Sequence, residues 1–307
     1  IREGCYIGEI APGQTGQFKV MVRLPRVTES GFSTPPGTTL TNTIRIESGF
    51  SIAGPTCGIP DYFDTDNTSS WASDVISDFG DAPATAQDGL PGFGAQVTAA
   101  YSGNGLHEWL GRSVSAERGA NDAKDPDGAP NLNPYNYDFH DDGALYRNPF
   151  NAGVPSSQRY YQPGEFAAGT KVIMSVSDAS GSRYANSADK RIYVESWADA
   201  NRDGKFGDDG DKLMFRWNGG PGLIGSDGKL WPLGQPFYIL EATDLNIQAP
   251  ASLGWMFVRT RLSYGAQPSM SGPMDYGEIE DNLIGVFQGA PPESGNPPGP
   301  VQPPTRP

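Results

Sequence analysis

The sequence predicts an all-β protein built as two β-sandwich domains with a proline-rich C-terminal tail. Three observations carry that prediction. Gly (40) and Pro (28) are abundant while charged residues make up only 19%, a mixture suited to short strands joined by many turns. Several segments alternate polar and apolar residues with a period of two. Helical periodicity is weak throughout, and Ser182–Ala188 offers at best a short turn. An aromatic content of 11% is too high for a disordered chain, and 307 residues suffice for two ordinary domains.

Residues 1–76 read as the smaller domain. Ala11-Pro12-Gly13-Gln14 is a turn, and Gln17–Leu24 alternates as a half-buried strand. Thr39–Ser48 alternates cleanly as a second strand. Asp64–Ser69 reads as a loop leading to a third, around Trp71–Ile76. Residues 77–287 form the larger domain, with candidate strands at Lys171–Val176, Lys190–Trp197, Lys212–Trp217, Gln235–Ile239 and Trp255–Ser263. The last contains Met256–Leu262, whose alternation predicts a strand buried on one face. Residues 288–307 hold Pro and Gly without a hydrophobic pattern, as expected of an extended linker or of an arm laid across a neighbour.

Charge narrows the partners. A formal net charge of −14 argues against nucleic acid, because phosphate contacts need a basic surface. The acids also cluster, at 121–128, 138–142 and 199–211, which favours cation binding over mere solubility. No stretch approaches the length of a transmembrane helix. Cys5 and Cys57 are a disulfide pair if the protein is exported and two buried thiols otherwise. The chain opens at Ile1 without a signal peptide, as a mature product or a fragment of a longer chain would.

The most specific site is the run Asp199-Ala-Asn201-Arg-Asp203-Gly204-Lys205-Phe206-Gly-Asp208-Asp209-Gly210-Asp211. Oxygen-bearing side chains recur at alternate positions and a glycine follows the third, which is how a short loop wraps a hard cation. Asp199, Asn201 and Asp203 supply side-chain oxygens, Lys205 a carbonyl, and Asp208 or Asp211 closes the ligand set. An EF-hand places a bidentate Glu at its twelfth position; here that is Gly210, with Asp211 next. Oxygen ligands without His or Cys point to Ca²⁺, and magnesium seldom takes so many protein oxygens.

A second calcium candidate joins two acidic runs, Asp122, Asp125 and Asp127 with Asp138, Asp141 and Asp142. The stretch from 115 to 160 lacks apolar periodicity, and a loop that long needs tying down. The alternative is two hydrated acidic turns.

Asp78-Phe-Gly-Asp-Ala-Pro83, then Trp197-Ala-Asp199-Ala-Asn201-Arg-Asp203-Gly204, then Arg261-Leu262-Ser263 before Gly277-Glu-Ile-Glu-Asp281 stand in fixed order. Over roughly residues 77–287 this order resembles the GEVED domain, with Ile279 in place of Val. Earlier, Gly8-Glu-Ile10-Ala-Pro-Gly13, the strand ending Leu24-Pro25, Thr39-Leu-Thr-Asn-Thr43 and Asp66-Asn67 resemble the later half of a bacterial immunoglobulin-like repeat. The resemblance implies a jelly-roll-like sandwich of secreted or surface-anchored bacterial proteins, with no enzymatic activity to carry over. The repeat's early strands have no counterpart here. Either they precede this sequence, or a neighbouring copy supplies them by strand addition.

Asp78, Asp81, Glu278, Glu280 and Asp281 lie at opposite ends of the larger domain. If its first and last strands pair, these carboxylates meet, to hold a cation or to accept backbone N–H and Arg partners. Paired carboxylates also raise a glycoside hydrolase, though no sugar-binding element accompanies them. His107 and His140 have no metal-binding spacing. The six tryptophans suit core packing before a sugar platform. The expected function is therefore a non-enzymatic, calcium-stabilised surface, filament or adhesive protein. Its expected partners are like subunits or neighbouring domains. A calcium-dependent carbohydrate-binding module for polysaccharide and a secreted hydrolase are the rivals.

Overall fold

The computed structural model describes residues 37–45, 68–74, 76–86, 90–94, 101–102, 107–114, 116, 118–119, 142–147, 155, 158–184 and 190–289. The strand at Gln17–Leu24, the cysteines Cys5 and Cys57, and Asp122, Asp125, Asp127, Asp138, Asp141 and His140 lie outside them.

The described residues are all-β, with twelve strands and one helical turn at Ala242–Leu245. In the segment expected to be the smaller domain, β1 (Thr39–Arg45) pairs antiparallel with β2 (Thr68–Asp74). β2 begins inside the segment expected to be a loop, because Thr68 and Ser69 face Arg45 and Ile44 in the ladder.

The strands that follow are β3 (Asp78–Phe79), β4 (Tyr101–Ser102), β5 (Glu108–Leu110), β6 (Ala144–Leu145), β7 (Lys171–Val176), β8 (Ile192–Ala198), β9 (Lys212–Gly219), β10 (Phe237–Glu241), β11 (Gly254–Tyr264) and β12 (Glu278–Val286). One four-stranded sheet joins β10, β7 and β5, with β6 also on β7; the other runs β12-β11-β8-β9. The long strands follow the alternation in the sequence closely, and β7 covers Lys171–Val176 as expected. β12 carries three acids in its first four residues, so its pattern resembles no half-buried strand.

Side chains from both four-stranded sheets share one apolar core. Leu110, Val172, Met174 and Leu240 come from one sheet; Val194, Trp217, Met256, Val258, Leu262 and Ile284 come from the other. Trp217 and Trp231 are buried there beside Tyr238, so these tryptophans pack the interior.

β11 corrects one expectation. Its alternation does not separate core from solvent, because the strand is buried on both faces from Trp255 to Ser263. Met256, Val258 and Leu262 face the main core, while Trp255 and Phe257 join a second cluster with Ala82, Phe93, Phe206 and Met270. Arg259 and Arg261 continue that second face and are fully buried. The period of two therefore divides an apolar core from a partly ionic one.

Candidate functional site

β8 ends at Ala198 and delivers Asp199 into the loop expected to hold calcium. The Asp199 side chain is completely buried, and its backbone N–H reaches Phe257 on the neighbouring strand at 3.0 Å. Asp199 Oδ1 accepts the Asp203 N–H at 3.1 Å and Oδ2 accepts the Gly204 N–H at 3.2 Å. Asn201 Oδ1 accepts the same Asp203 N–H, and Asp203 Oδ1 accepts from Lys205 N. Each oxygen-bearing side chain thus folds back on its own loop, the local bonding that Asp and Asn favour in turns.

Gly204 is obligatory on two counts. Its φ of +79° lies in the left-handed region, and a Cβ there would stand 2.3 Å from the Gly92 carbonyl oxygen. Phe206 then stacks on Phe93, ring centres 4.6 Å apart, anchoring the middle of the loop in the second core.

The two candidates for closing the loop are placed differently. Asp211 turns back to the beginning: Oδ1 accepts from Ala200 N at 3.1 Å and Oδ2 from Gly207 N at 2.8 Å. Asp208 instead accepts from the Asn201 side-chain amide and faces the Lys205 ammonium at 3.7 Å. That ammonium also lies 3.5 Å from Asp203 Oδ2, so Lys205 contributes a positive side chain as well as its carbonyl. Burial, together with the charges of Asp211 and Asp203, pushes the Asp199 carboxyl up to about 6. Burial likewise raises Asp211. A divalent cation among these oxygens would offset that cost. Among the described residues no three His, Cys, Asp or Glu side chains already converge as a metal cage.

Asp142, the member of the second acidic cluster among the described residues, accepts the Arg112 N–H at 2.6 Å.

The acids of the opening and closing motifs do come together, though β3 pairs with β4 and not with β12. Side chains make the junction instead. Asp78 Oδ2 accepts the Ile279 N–H at 2.6 Å, and Asp281 Oδ2 accepts the Ala82 N–H at 2.9 Å. Asp281 also takes both prongs of Arg259. On the opposite face of β12, Glu278 accepts the Leu110 N–H, while Glu280 accepts those of Gly143 at 2.8 Å and Ala144 at 2.5 Å. Strand alternation thus sends Glu278 and Glu280 towards β5 and β6, and Asp281 towards the segment after β3. Burial, then the charges of Glu280 and Asp78, hold the Glu278 carboxyl well above its usual 4.5.

Arg259 carries the link further. Its guanidinium carbon lies 4.6 Å from the centre of the Phe206 ring, in the candidate calcium loop. The three sequence motifs therefore meet around one ion pair. Arg259 was the residue that the sequence reading missed, although an arginine inside an apolar alternating strand is itself a signal of a buried partner. No known protein family, characterised protein or solved structure compared with this chain matches it.

Proposed function

We propose that the chain is a calcium-stapled structural or adhesive module of an extracellular assembly, with no catalytic role for its clustered acids. The observation that carries this is Asp199, fully buried at the head of the loop, where it shares the Asp203 N–H with Asn201 and feels the charges of Asp211 and Asp203. Calcium would be held by those side chains and the Lys205 carbonyl, and would fix the loop against the second core. A loop of the extracellular type, with a Kd of about 10⁻⁴–10⁻³ M, would fill at the millimolar calcium concentrations outside cells.

The acids of Gly277–Asp281 support the structural reading over hydrolysis. A glycosidase needs two carboxyls facing substrate across a cleft. Here Glu278, Glu280 and Asp281 are buried and take backbone N–H groups or Arg259 as partners. Their arrangement clamps chain segments on both faces of β12, which is structural work.

Calcium titration against thermal unfolding tests the reading. A loop of the extracellular type binds at about 10⁻⁴–10⁻³ M. About 10 mM calcium then stabilises by about 1.4–2.7 kcal/mol, a rise in Tm of about 3–10 °C. The Asp199→Ala, Asp203→Ala double variant should abolish the rise. Equal melting of the wild-type protein in calcium and in chelator would refute the staple.

A further inference from the structure

At the turn between β11 and β12 the chain forms a half-open pocket of about 400 Å³. Tyr264, Gln267, Pro268, Pro273, Asp275 and Tyr276 line it. The two tyrosine rings stand nearly perpendicular, at 77° with centres 6.3 Å apart. They are held from outside the pocket lining. The Arg183 guanidinium lies 4.1 Å from the Tyr264 ring centre and 5.1 Å from that of Tyr276, and Glu108 anchors it. His107 meets the edge of Tyr276 at 5.8 Å. Gln267 is fixed in turn by donating to the buried Glu195 at 2.6 Å.

Two rigid rings set at right angles and flanked by prolines make a notch and not a flat platform. A pyranose stacks on a flat face, whereas the ridged profile of a polyproline II helix fits aromatic notches. The chain itself contains a proline-rich sequence in residues 290–307, with Pro-Pro pairs at 291–292, 297–298 and 303–304 and a cation at Arg306. Asp275 gives the pocket the complementary charge.

The place where that segment leaves the domain decides which pocket it meets. Gly289 is tied to Gln162 by reciprocal hydrogen bonds, its N–H donating at 3.1 Å and its carbonyl accepting at 2.9 Å. This lies beyond Val286, which pairs with Gly254, whereas the pocket lies beyond Glu278, which pairs with Leu262. The two ends of β12 are about 27 Å apart at about 3.4 Å per residue. To reach the pocket of its own molecule, a segment leaving at Gly289 would have to double back over that distance. The pocket of a following copy requires no reversal.

We propose that the Tyr264–Tyr276 pocket binds the proline-rich segment 290–307 of a neighbouring copy, with Arg306 facing Asp275. The proposal rests on the structural reading above and names the partner: another copy of this chain. Such a contact uses different surfaces on the two molecules and does not close, so it generates linear chains.

Sedimentation of variants of the 307-residue chain tests it. The wild-type chain should form a concentration-dependent ladder of oligomers. Tyr276→Ala alone, and a chain with Pro297, Pro298, Pro303 and Pro304 all changed to Ser alone, should each be monomeric. Mixed, they should give one-to-one pairs and nothing larger. Because Tyr276→Ala also removes a contact of Arg183, Asp275→Arg is a second pocket variant, and Arg306→Asp should restore its association. A peptide of residues 290–307 should bind the wild-type chain and lose affinity by about tenfold or more on Tyr276→Ala. Peptide binding with a chain that stays monomeric would mean that the segment occupies its own pocket, and would overturn the proposal. So would absence of peptide binding, or polysaccharide binding abolished by Tyr276→Ala while the peptide does not compete. Calcium-dependent melting of the same preparations reads the structural proposal separately. Lost pairing with intact calcium stabilisation sinks only the pocket assignment, and pairing without calcium stabilisation sinks only the staple.

Discussion

Arg259 and Asp281 stand directly opposite each other on β11 and β12 and form a two-pronged ion pair with both side chains fully buried. Nε donates to Oδ1 at 2.8 Å and Nη2 to Oδ2 at 2.6 Å. Around this pair the domain closes on itself. Asp281 holds Ala82, Arg259 lies over Phe206, and Arg259 Nη1 donates to the Met270 carbonyl at 3.2 Å. Arg261, two residues on, donates to the carbonyls of Ser269 and Gly272. Segments distant in sequence are thus held by charge-assisted bonds as well as by the apolar packing of Ala82, Phe206 and Met270.

Removing one partner leaves the other charged and buried, which costs about 3–5 kcal/mol. Asp281→Ala should lose that much in urea unfolding. Arg259→Met with Asp281→Leu should lose less than the two single changes added together, since it leaves no orphaned charge. A single variant costing under about 1 kcal/mol would mean that the pair is not the keystone of the domain.

Gly80 tests the same junction by volume. A Cβ at Gly80 would sit 2.5 Å from both Arg259 Nη2 and Asp281 Oδ2, and 3.0 Å from the Ile279 methyl carbon. Gly80→Ala should therefore destabilise by about 2–3 kcal/mol through forced displacement of the pair. Gly119→Ala, with open space around its Cβ, should stay within about 0.5 kcal/mol. Equal effects of the two changes would contradict this packing.

The sequence made the β class and the long strands readable because β7, β8, β9 and β11 carry a period of two. It did not reveal that β11 is covered on both faces. Alternation reports a difference between two faces, and Arg259 beside Phe257 looks solvent-directed until Asp281 is placed opposite. β12 was obscured for the same reason, since Glu278, Glu280 and Asp281 are buried by virtue of partners remote in sequence. Within the 199–211 loop the spacing of Asp199, Asn201, Asp203 and Gly204 is local information, legible in one short stretch. The pocket between Tyr264 and Tyr276 is lined by residues of one window, 263–276, but the setting of its two rings depends on Arg183 and His107 arriving from other parts of the chain, so that window alone does not reveal it.

Glu278 gives a pH signature. Its folded pKa lies well above its usual 4.5, so between those values the folded state keeps a proton that the unfolded chain releases. Its favourable contribution is full below about 4.5 and is lost as pH rises towards the folded value. Glu278→Gln keeps an acceptor for Leu110 N–H and cannot ionise. The stability of the variant relative to wild type should rise as the pH is raised from 5 to 8. A difference that does not change with pH would show that Glu278 is not held protonated by burial.

Asp211 and Asp208 separate two ways of closing the calcium loop. In a helix-flanked loop the closing carboxylate is the twelfth residue, counted here from Asp199 to Gly210, which has no side chain. Asp211 has its two oxygens directed to Ala200 N and Gly207 N, at the entrance and the middle of the loop, and its charge reaches Asp199. Asp208 is turned towards the amide of Asn201 and the ammonium of Lys205. Since affinity follows the number of carboxylates that reach the ion, Asp211→Asn should weaken calcium binding by about tenfold or more. Asp208→Asn should change it by about threefold at most, the scale of a screened surface charge. Calorimetric titration of both variants at one ionic strength makes the comparison. A larger loss for Asp208→Asn would mean that calcium reorganises the loop, displacing the Lys205 ammonium and closing through Asp208 instead.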